Sequence, residues 1–242
     1  MFSLLVNLFN LFLYRPLFNF LVLIYNYLPG HDFGLAIIFL TVIIRFILYP
    51  VSIKALNSQK ALQKLQPKLQ EIQKKYKNDK EKQTKETLEL YRKEKINPFG
   101  GLFLALVQLP ILIALYKVFW QGLNSQELSN LYSFITNPVH INSMFIGLVD
   151  LSKPNLLFAV LAGIFQFFQT KMLMPRNNPI AGEKKQSRPS DISTIMQKQM
   201  VYFFPFLTII ILFKLPSALG LYWTVSSIFS IIQQYFIFKQ TS

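Results

Sequence analysis

The residues that decide the fold run from Leu40 to Lys54 and read LTVIIRFILYPVSIK. They end an apolar run that begins at Phe33, and their only charge before Lys54 is Arg45, nine positions earlier. Nine residues of α-helix rise about 13 Å, so Arg45 would lie well inside a bilayer whose boundary is at Lys54. Because a bilayer core of about 30 Å takes about 20 apolar residues, this stretch predicts a transmembrane helix with a buried arginine.

The composition of the whole chain is typical of a membrane protein. Of its 242 residues, 52% are hydrophobic and only 15% are charged. Soluble domains carry about 25% charged residues, so this chain lacks the groups that keep a surface hydrated. The absence of cysteine excludes a disulfide scaffold, thiolate chemistry and a cysteine zinc site. The net charge of +14 must therefore lie in a few polar segments between apolar helices.

Apolar segments that meet or approach the length of a membrane span recur along the chain. They are Phe33–Val51, Phe99–Gln121, Asn155–Met172 and Ser217–Phe238. A fifth segment, Met200–Phe213, is shorter and contains Pro205, so it needs snorkelling flanks or a locally thin bilayer. Together these segments predict an all-α integral membrane protein with a core of five transmembrane helices.

The basic residues predict the orientation of these spans. Twenty of the 25 Lys and Arg residues lie between Lys54 and Lys95, between Lys171 and Lys198, or at Lys239. All three segments fall on one side of the membrane, which the positive-inside rule identifies as the cytoplasm. We therefore expect a multi-pass protein of the cell membrane whose C-terminus is cytoplasmic.

The N-terminal stretch Met1–Leu28 fits two placements. Arg15-Pro16 interrupts it, and Pro16 suits the first turn of a new helix. On that helix Arg15, Asn19 and Asn26 form a narrow polar stripe, which is typical of a helix lying on the membrane surface. A sixth transmembrane helix is the alternative, and composition favours neither.

The basic segment after the first span predicts a helical hairpin in the cytoplasm. Apolar residues recur at spacings of three and four, and the turn residues Asn78-Asp79 end the pattern before a second helix, Glu81–Lys95. Pro67 lies inside the first helix, so a kink or restart is expected there. The hairpin would be a docking arm for anionic lipid, ribosomal RNA or an acidic partner; the alternative is a solvated loop that only fixes topology.

The acidic residues make Arg45 informative. All eleven lie outside the predicted spans, so Arg45 has no carboxylate partner inside the membrane. An arginine at that depth costs about 3 kcal/mol, and it needs polar neighbours or a charge brought by a substrate. Polar residues of the spans could line a wet cavity open to the cytoplasm: Thr41, Gln108, Gln166, Gln169, Thr224, Ser227, Gln233 and Gln234. The alternatives are that Arg45 snorkels and that the glutamines bond between helices.

The sequence offers no catalytic, metal or cofactor site. No span holds paired carboxylates, and both histidines, His31 and His140, fall in segments expected outside the cell. No glycine-rich phosphate loop ending in Gly-Lys-Ser/Thr is present. We therefore expect neither an enzyme nor a protein that binds DNA specifically, because membrane orientation accounts for the positive charge.

Five pieces of sequence in order resemble the YidC/Oxa/Alb family of membrane protein insertases. The first is the stretch Leu40–Lys54 quoted above. The others are LQPKLQEIQKKYKND at Leu65–Asp79, ELYRKEKINPFGG at Glu89–Gly101, VQLPILIALY at Val107–Tyr116, and LYW with SSIFSIIQQYFI within Leu221–Ile237. The likeness extends over nearly the whole chain, from Tyr14-Arg15-Pro16-Leu17 onward.

The resemblance implies a function, a site and partners. It implies a bacterial insertase and chaperone that passes hydrophilic segments of nascent clients through a polar groove and releases their apolar helices into lipid. The groove residues that it implies are Arg45, Thr41, Gln108, Tyr222 and Trp223. The polar residues of the later spans add Gln166, Gln169, Thr224 and Gln233 to the candidate groove. Candidate partners besides clients and the bilayer are the Sec translocon, the ribosome and the signal-recognition-particle receptor. The family pattern also favours the surface helix on the outer face for the N-terminal stretch.

The expected organisation follows from these predictions. An outer-face helix occupies residues 1–32, and the transmembrane helices occupy 33–53, 98–121, 154–174, 197–214 and 215–238. The connecting segments are the cytoplasmic hairpin 54–97, the outer loop 122–153, the cytoplasmic loop 175–196 and the cytoplasmic tail 239–242. The competing functions are a small-anion transporter or channel with Arg45 as the binding charge, and an assembly scaffold without transport.

Overall fold

A computed structural model describes residues 2–97, 100–121, 125–174 and 199–239. The described part is mostly helical, with one small two-stranded sheet. The predicted cytoplasmic loop 175–196 lies outside the described residues. The all-helical class expected from the apolar segments therefore holds for the described chain, apart from this sheet.

The N-terminal stretch forms one continuous helix. It consists of α1 (Phe2–Phe9), a π-helical turn (Asn10–Tyr14) and α2 (Arg15–Tyr27). The interruption expected at Arg15-Pro16 is absent, because the backbone N–H of Arg15 bonds to the carbonyl of Asn10, five residues earlier, and the helix widens instead of breaking. Pro16 then lies in the first turn of α2, where its missing N–H is tolerated.

The polar stripe of α2 faces protein. Asn19 is 1% exposed, donates to the carbonyls of Arg15 and Asn130 at 2.8 and 3.2 Å, and accepts from the amide of Tyr132. Asn26 donates to the carbonyl of Thr136 at 2.7 Å. The stripe that suggested a helix lying on the membrane surface therefore holds the segment Asn130–Thr136 of the predicted outer loop.

The next two helices meet at a sharp bend. Helix α3 (Phe33–Ile47) and helix α4 (Tyr49–Lys75) are inclined at 63° to each other. Asp32 caps α3 by accepting from the amide of Leu35, and Pro50 lies in the first turn of α4. The bend thus falls inside the predicted span 33–53, whereas α4 continues through Pro67 without the expected restart.

Helix α4 turns back into helix α5 (Lys80–Lys93). Asp79 caps α5 by accepting from the amide of Lys82, and Lys68 pairs with Glu94 at 2.6 Å. This exposed ion pair ties the two helices together near the end of α5. It also lowers the pKa of the Glu94 carboxyl, chiefly through the hydrogen bond from Lys68.

The last helix of the chain, α9 (Ser217–Lys239), is central to the packing of the remaining elements. The elements between α5 and α9 are α6 (Gly100–Gln121), the strands β1 (Met144–Phe145) and β2 (Val149–Asp150), α7 (Leu156–Met172), a π-helical turn (Gln199–Phe203) and α8 (Phe204–Leu212). Helix α9 packs on α7 and α3, and it also contacts α4 and α6. One face of α9 is polar and buried, with Ser226, Ser227, Ser230, Gln233 and Gln234 each at most 6% exposed.

Length and apolar composition single out few of these helices as membrane spans. Among the described residues, Ser3–Tyr27 is long and apolar enough to cross a bilayer, and the bent pair of α3 and α4 makes a second if it counts as one span. The segments Leu106–Trp120, Leu156–Met172 and Val201–Leu212 are apolar but shorter.

Candidate functional site

The guanidinium of Arg45 is buried beside a serine. Arg45 lies in the last turn of α3 and is 6% exposed. Its Nε donates a hydrogen bond of 2.7 Å to Oγ of Ser226 on α9, and its Nη2 donates to the same oxygen. No carboxylate of the described residues forms an ion pair with Arg45. Three of its five N–H groups thus stay available to a ligand or to water.

Arg45 borders a cavity of about 310 Å³ between α3, α6, α7 and α9. The lining residues are Arg45, Gln108, Leu109, Leu112, Gln166, Gln169, Thr170, Tyr222, Trp223, Ser226 and Ser227. The lining combines carboxamides, hydroxyls and the positive charge of Arg45 with two leucines and two aromatic rings.

The cavity brings together seven residues that the sequence assigned to a polar groove or cavity: Arg45, Gln108, Gln166, Gln169, Tyr222, Trp223 and Ser227. Four other predicted residues do not line it: Thr41, Thr224, Gln233 and Gln234. Thr41 and Thr224 are buried and donate to the carbonyls of Ile37 and Gly220 in their own helices, at 2.6 and 2.8 Å. Their hydroxyls are therefore already satisfied by the preceding turn, as is common for threonine in helices.

Sequence reasoning missed part of the lining. Ser226, Thr170, Leu109 and Leu112 were not predicted. Helix periodicity contains the signal for Ser226, because it lies one turn after Tyr222 and so shares its face. It contains the same signal for Thr170, one turn after Gln166, whose carbonyl it bonds at 2.8 Å.

Comparison with known proteins identifies the family. A family model described as 60Kd inner membrane protein matches residues 23–242. The chain belongs to this family. It is 36% identical to the membrane protein insertase YidC of Fusobacterium nucleatum, over 95% of this chain and 98% of that protein. The YidC of Oceanobacillus iheyensis is 34% identical, over 87% of this chain and 76% of its own length.

Some relatives in the family are much longer. The YidC of Syntrophus aciditrophicus is 33% identical over 93% of this chain, which amounts to 36% of the Syntrophus protein. The resemblance to the YidC/Oxa/Alb family that the motifs indicated is thereby confirmed.

In this member of the 60Kd inner membrane protein family, α7 presents its glutamines through close packing. A Cβ at Gly163 would lie 2.4 Å from Cγ1 of Ile209 on α8, so any larger residue would require Ile209 or the helices to move. Ala159 and Ala162 on the same helix are at most 1% exposed. The small residues therefore set the position of Gln166, one turn further along.

Gln166 also has unused hydrogen-bonding capacity. Its Oε1 is buried and has no hydrogen-bond partner within the described residues. Since buried polar atoms are normally bonded, this oxygen is available to water or to a donor in the cavity. Gln233 does not line the cavity, but its Nε2 on α9 is likewise buried without a partner in the described chain.

A loop fixes the start of α9. The carbonyls of Lys153 and Leu151 accept from the amides of Ser217 and Ala218, at 2.9 and 3.1 Å. Asp150 orders this loop by accepting from the hydroxyls of Ser143 and Ser152, each at 2.6 Å. Hydrogen bonds from Ser143 first and then Ser152 hold the pKa of the Asp150 carboxyl well below its ordinary value. This loop fastens the polar helix at one end of the cavity.

The described residues do not form a metal-binding cluster. They contain no group of three or more His, Cys, Asp or Glu side chains that could hold a metal ion. The chemistry available in the cavity is hydrogen bonding and charge attraction by Arg45.

Proposed function

We propose that this chain is a membrane protein insertase. It passes hydrophilic segments of client proteins through a polar groove that opens to the cytoplasm, and it releases their apolar helices into the bilayer. The observation that carries the proposal is that Arg45 is buried in a polar cavity and bonds only to a serine hydroxyl among the described residues.

The charge of Arg45 explains how a client would be attracted. A buried guanidinium that has no carboxylate partner among the described residues attracts an approaching acidic group strongly, because Coulomb attraction grows as the effective dielectric falls. A client segment with Asp or Glu supplies that group. The three unused N–H groups of Arg45 would bind it.

The polar side chains of the cavity explain how the rest of a hydrophilic client segment can leave bulk water at a low free-energy cost. A volume of about 310 Å³ holds about ten water molecules at the density of the liquid. The carboxamides of Gln108, Gln166 and Gln169 both donate and accept, so they can replace water around a client backbone. The client then avoids much of the cost of leaving water.

A second, apolar cavity supports a lateral exit. It has a volume of about 320 Å³ between α6, α8 and α9, and it shares Leu112 and Trp223 with the polar cavity. Helices α6 and α8 pack only slightly against each other in the described chain. We propose that the client's apolar helix leaves between them, driven by burial of about 25 cal/mol for each Å² of apolar surface and without nucleotide.

The proposal includes a topology. The chain would lie in the bacterial cell membrane as a multi-pass protein with a cytoplasmic C-terminus, with the span and loop boundaries predicted above. The hairpin of α4 and α5 would then be cytoplasmic, and its exposed lysines favour a docking arm. Besides nascent clients, we propose the Sec translocon, the ribosome and the signal-recognition-particle receptor as its partners.

Insertion by purified protein in liposomes tests the function. Three clients that differ only in an acidic, neutral or basic outer tail should insert with efficiencies that fall in that order. Arg45→Gln should slow the acidic client most, and Arg45→Glu should reverse the preference, whereas Arg92→Gln on exposed α5 serves as the control.

Two results would contradict the proposal. Equal insertion of the acidic client by wild type and Arg45→Glu would exclude charge attraction. Anion flux through client-free liposomes that disappears in Arg45→Gln would favour the small-anion transporter instead.

A further inference from the structure

A second polar cavity lies near the C-terminal end of α6. Its volume is about 430 Å³, and it is bounded by the N-terminal helix, α6 and the turn that follows α6. It is lined by Asn7, Asn10, Leu11, Tyr14, Arg15, Lys117, Glu127 and Asn130. None of these residues belongs to the groove around Arg45.

Opposite charges line this cavity without pairing. Lys117 Nζ donates to Oδ1 of Asn10 at 3.0 Å and lies 4.3 Å from the centre of the Tyr14 ring. Glu127 accepts from the hydroxyl of Tyr14 at 2.6 Å and from Asn130 at 2.9 Å. Within the described residues, neither Lys117, Arg15 nor Glu127 forms an ion pair.

The two cations keep donors free for a ligand. Arg15 uses Nε to bond the carbonyl of Asn130 at 3.1 Å, and its guanidinium stacks 5.0 Å from the centre of the Tyr132 ring. Its four Nη hydrogens and two of the three ammonium hydrogens of Lys117 have no acceptor among the described residues. A phosphate offers acceptor oxygens that suit such donors.

The π-helical turn forms part of the cavity wall. Asn10 and Tyr14 begin and end this turn, and both side chains bind a charged group of the cavity. Turns of this kind are frequent at functional sites. The π-helical turn that precedes Pro16 therefore also carries two side chains that line the cavity.

The mouth of the cavity lies beside an apolar surface. Leu11 lines the cavity and is 55% exposed, and Phe12 next to it is 69% exposed. Leu4, Leu5 and Leu8 on the same helix are exposed as well. In a membrane protein such a surface faces acyl chains, so a molecule with a charged head and apolar tails fits both features.

We propose that this cavity binds the headgroup of a zwitterionic phospholipid of the phosphoethanolamine class. The phosphate lies at Lys117 and Arg15, the primary ammonium lies at Glu127, and the acyl chains follow Leu11 and Phe12. A glycerol headgroup has no cation for Glu127, and a trimethylated ammonium has no N–H to donate. The site does not depend on the function proposed for the groove.

Lipid retention by the purified full chain tests the site. Native mass spectrometry would compare phosphatidylethanolamine, phosphatidylcholine and phosphatidylglycerol with identical acyl chains. We expect the ethanolamine lipid to be retained best, and Lys117→Gln or Glu127→Gln to weaken its binding about tenfold, since a hydrogen bond to a charged group is lost. Lys214→Gln removes an exposed lysine away from the cavity and should change nothing.

The ranking among lipids separates the site from a general attraction to membranes. Glu127→Gln should remove the preference for ethanolamine over choline, while Lys117→Gln weakens binding of all three lipids. Thermal unfolding of each variant checks that the fold persists. Equal retention of the three lipids by wild type would overturn the proposal, and so would unchanged binding in both variants. Equally tight binding of free phosphoethanolamine would overturn the assignment to a lipid.

Discussion

Arg45 on α3 and Ser226 on α9, 181 positions apart in the chain, share a hydrogen bond of 2.7 Å. Within the described residues, the serine hydroxyl is the hydrogen-bond partner of this buried guanidinium, and the bond joins two helices that border the cavity.

Ser226→Ala should destabilise the protein by about 1–3 kcal/mol, because it leaves a buried charged donor without its hydroxyl partner. Denaturant unfolding in detergent micelles would measure the loss. Ser227→Ala is the matched control, since Ser227 is the next residue, lines the same cavity and is equally buried at 2% exposure. Equal losses in the two variants would show that the bond to Arg45 is not stabilising.

Gly163→Ala should separate α7 from α8, because the new methyl group would lie 2.4 Å from Cγ1 of Ile209. Overpacking of this kind costs about 1–3 kcal/mol. The double variant Gly163→Ala with Ile209→Ala should recover part of that cost, as a thermodynamic cycle over unfolding free energies would reveal. Strictly additive effects would mean that the two residues do not clash.

Asp150→Asn should reduce stability at neutral pH and alter its dependence on pH. The folded pKa of Asp150 lies below its unfolded value of about 3.9, so its contribution is complete above that value and is lost as pH falls through the folded pKa. Unfolding measured from pH 7 to pH 3 should show the gap between wild type and variant narrowing toward the acid end. A gap that widens in acid would contradict the hydrogen bonds from Ser143 and Ser152.

Asn19→Leu should loosen the loop held by α2. It removes the donor to the Asn130 carbonyl and the acceptor of the Tyr132 amide at the same time. Hydrogen exchange at the Tyr132 amide should become faster by about tenfold or more, which corresponds to about 1.4 kcal/mol. Asn26→Leu, which removes one exposed bond to Thr136, should leave that amide unchanged. Protection at Tyr132 that survives Asn19→Leu would show that this side chain does not hold the loop.

The isolation of Arg45 could be predicted from sequence because it needs only a count of acidic residues and their positions. Its contact with Ser226 could not, because it depends on how α9 is rotated against α3. Thr41 illustrates the opposite error: it lies one turn from Arg45, yet its hydroxyl bonds to Ile37 within its own helix. Residue type alone does not show which hydroxyls face the cavity, since Thr170 also bonds to its own helix and yet lines it.

Proline was the least reliable guide to helix ends. A break was expected at Pro16, but a π-helical turn absorbs it, whereas the sharp bend comes just before Pro50 in the first turn of α4. Nothing in the structure explains why α4 continues through Pro67. The loop contacts of Asn19 were also beyond prediction, since its partners lie more than a hundred residues away.

The buried polar face of α9 affects how the protein itself reaches the membrane. The described helices that are apolar enough to count as spans do not include α9, although it has 23 residues. Its serines and glutamines are shielded only once α3 and α7 are beside it. Because a chain is synthesised from its N-terminus, α3 and α7 are available when α9 emerges, so α9 can bury its polar face on helices made before it.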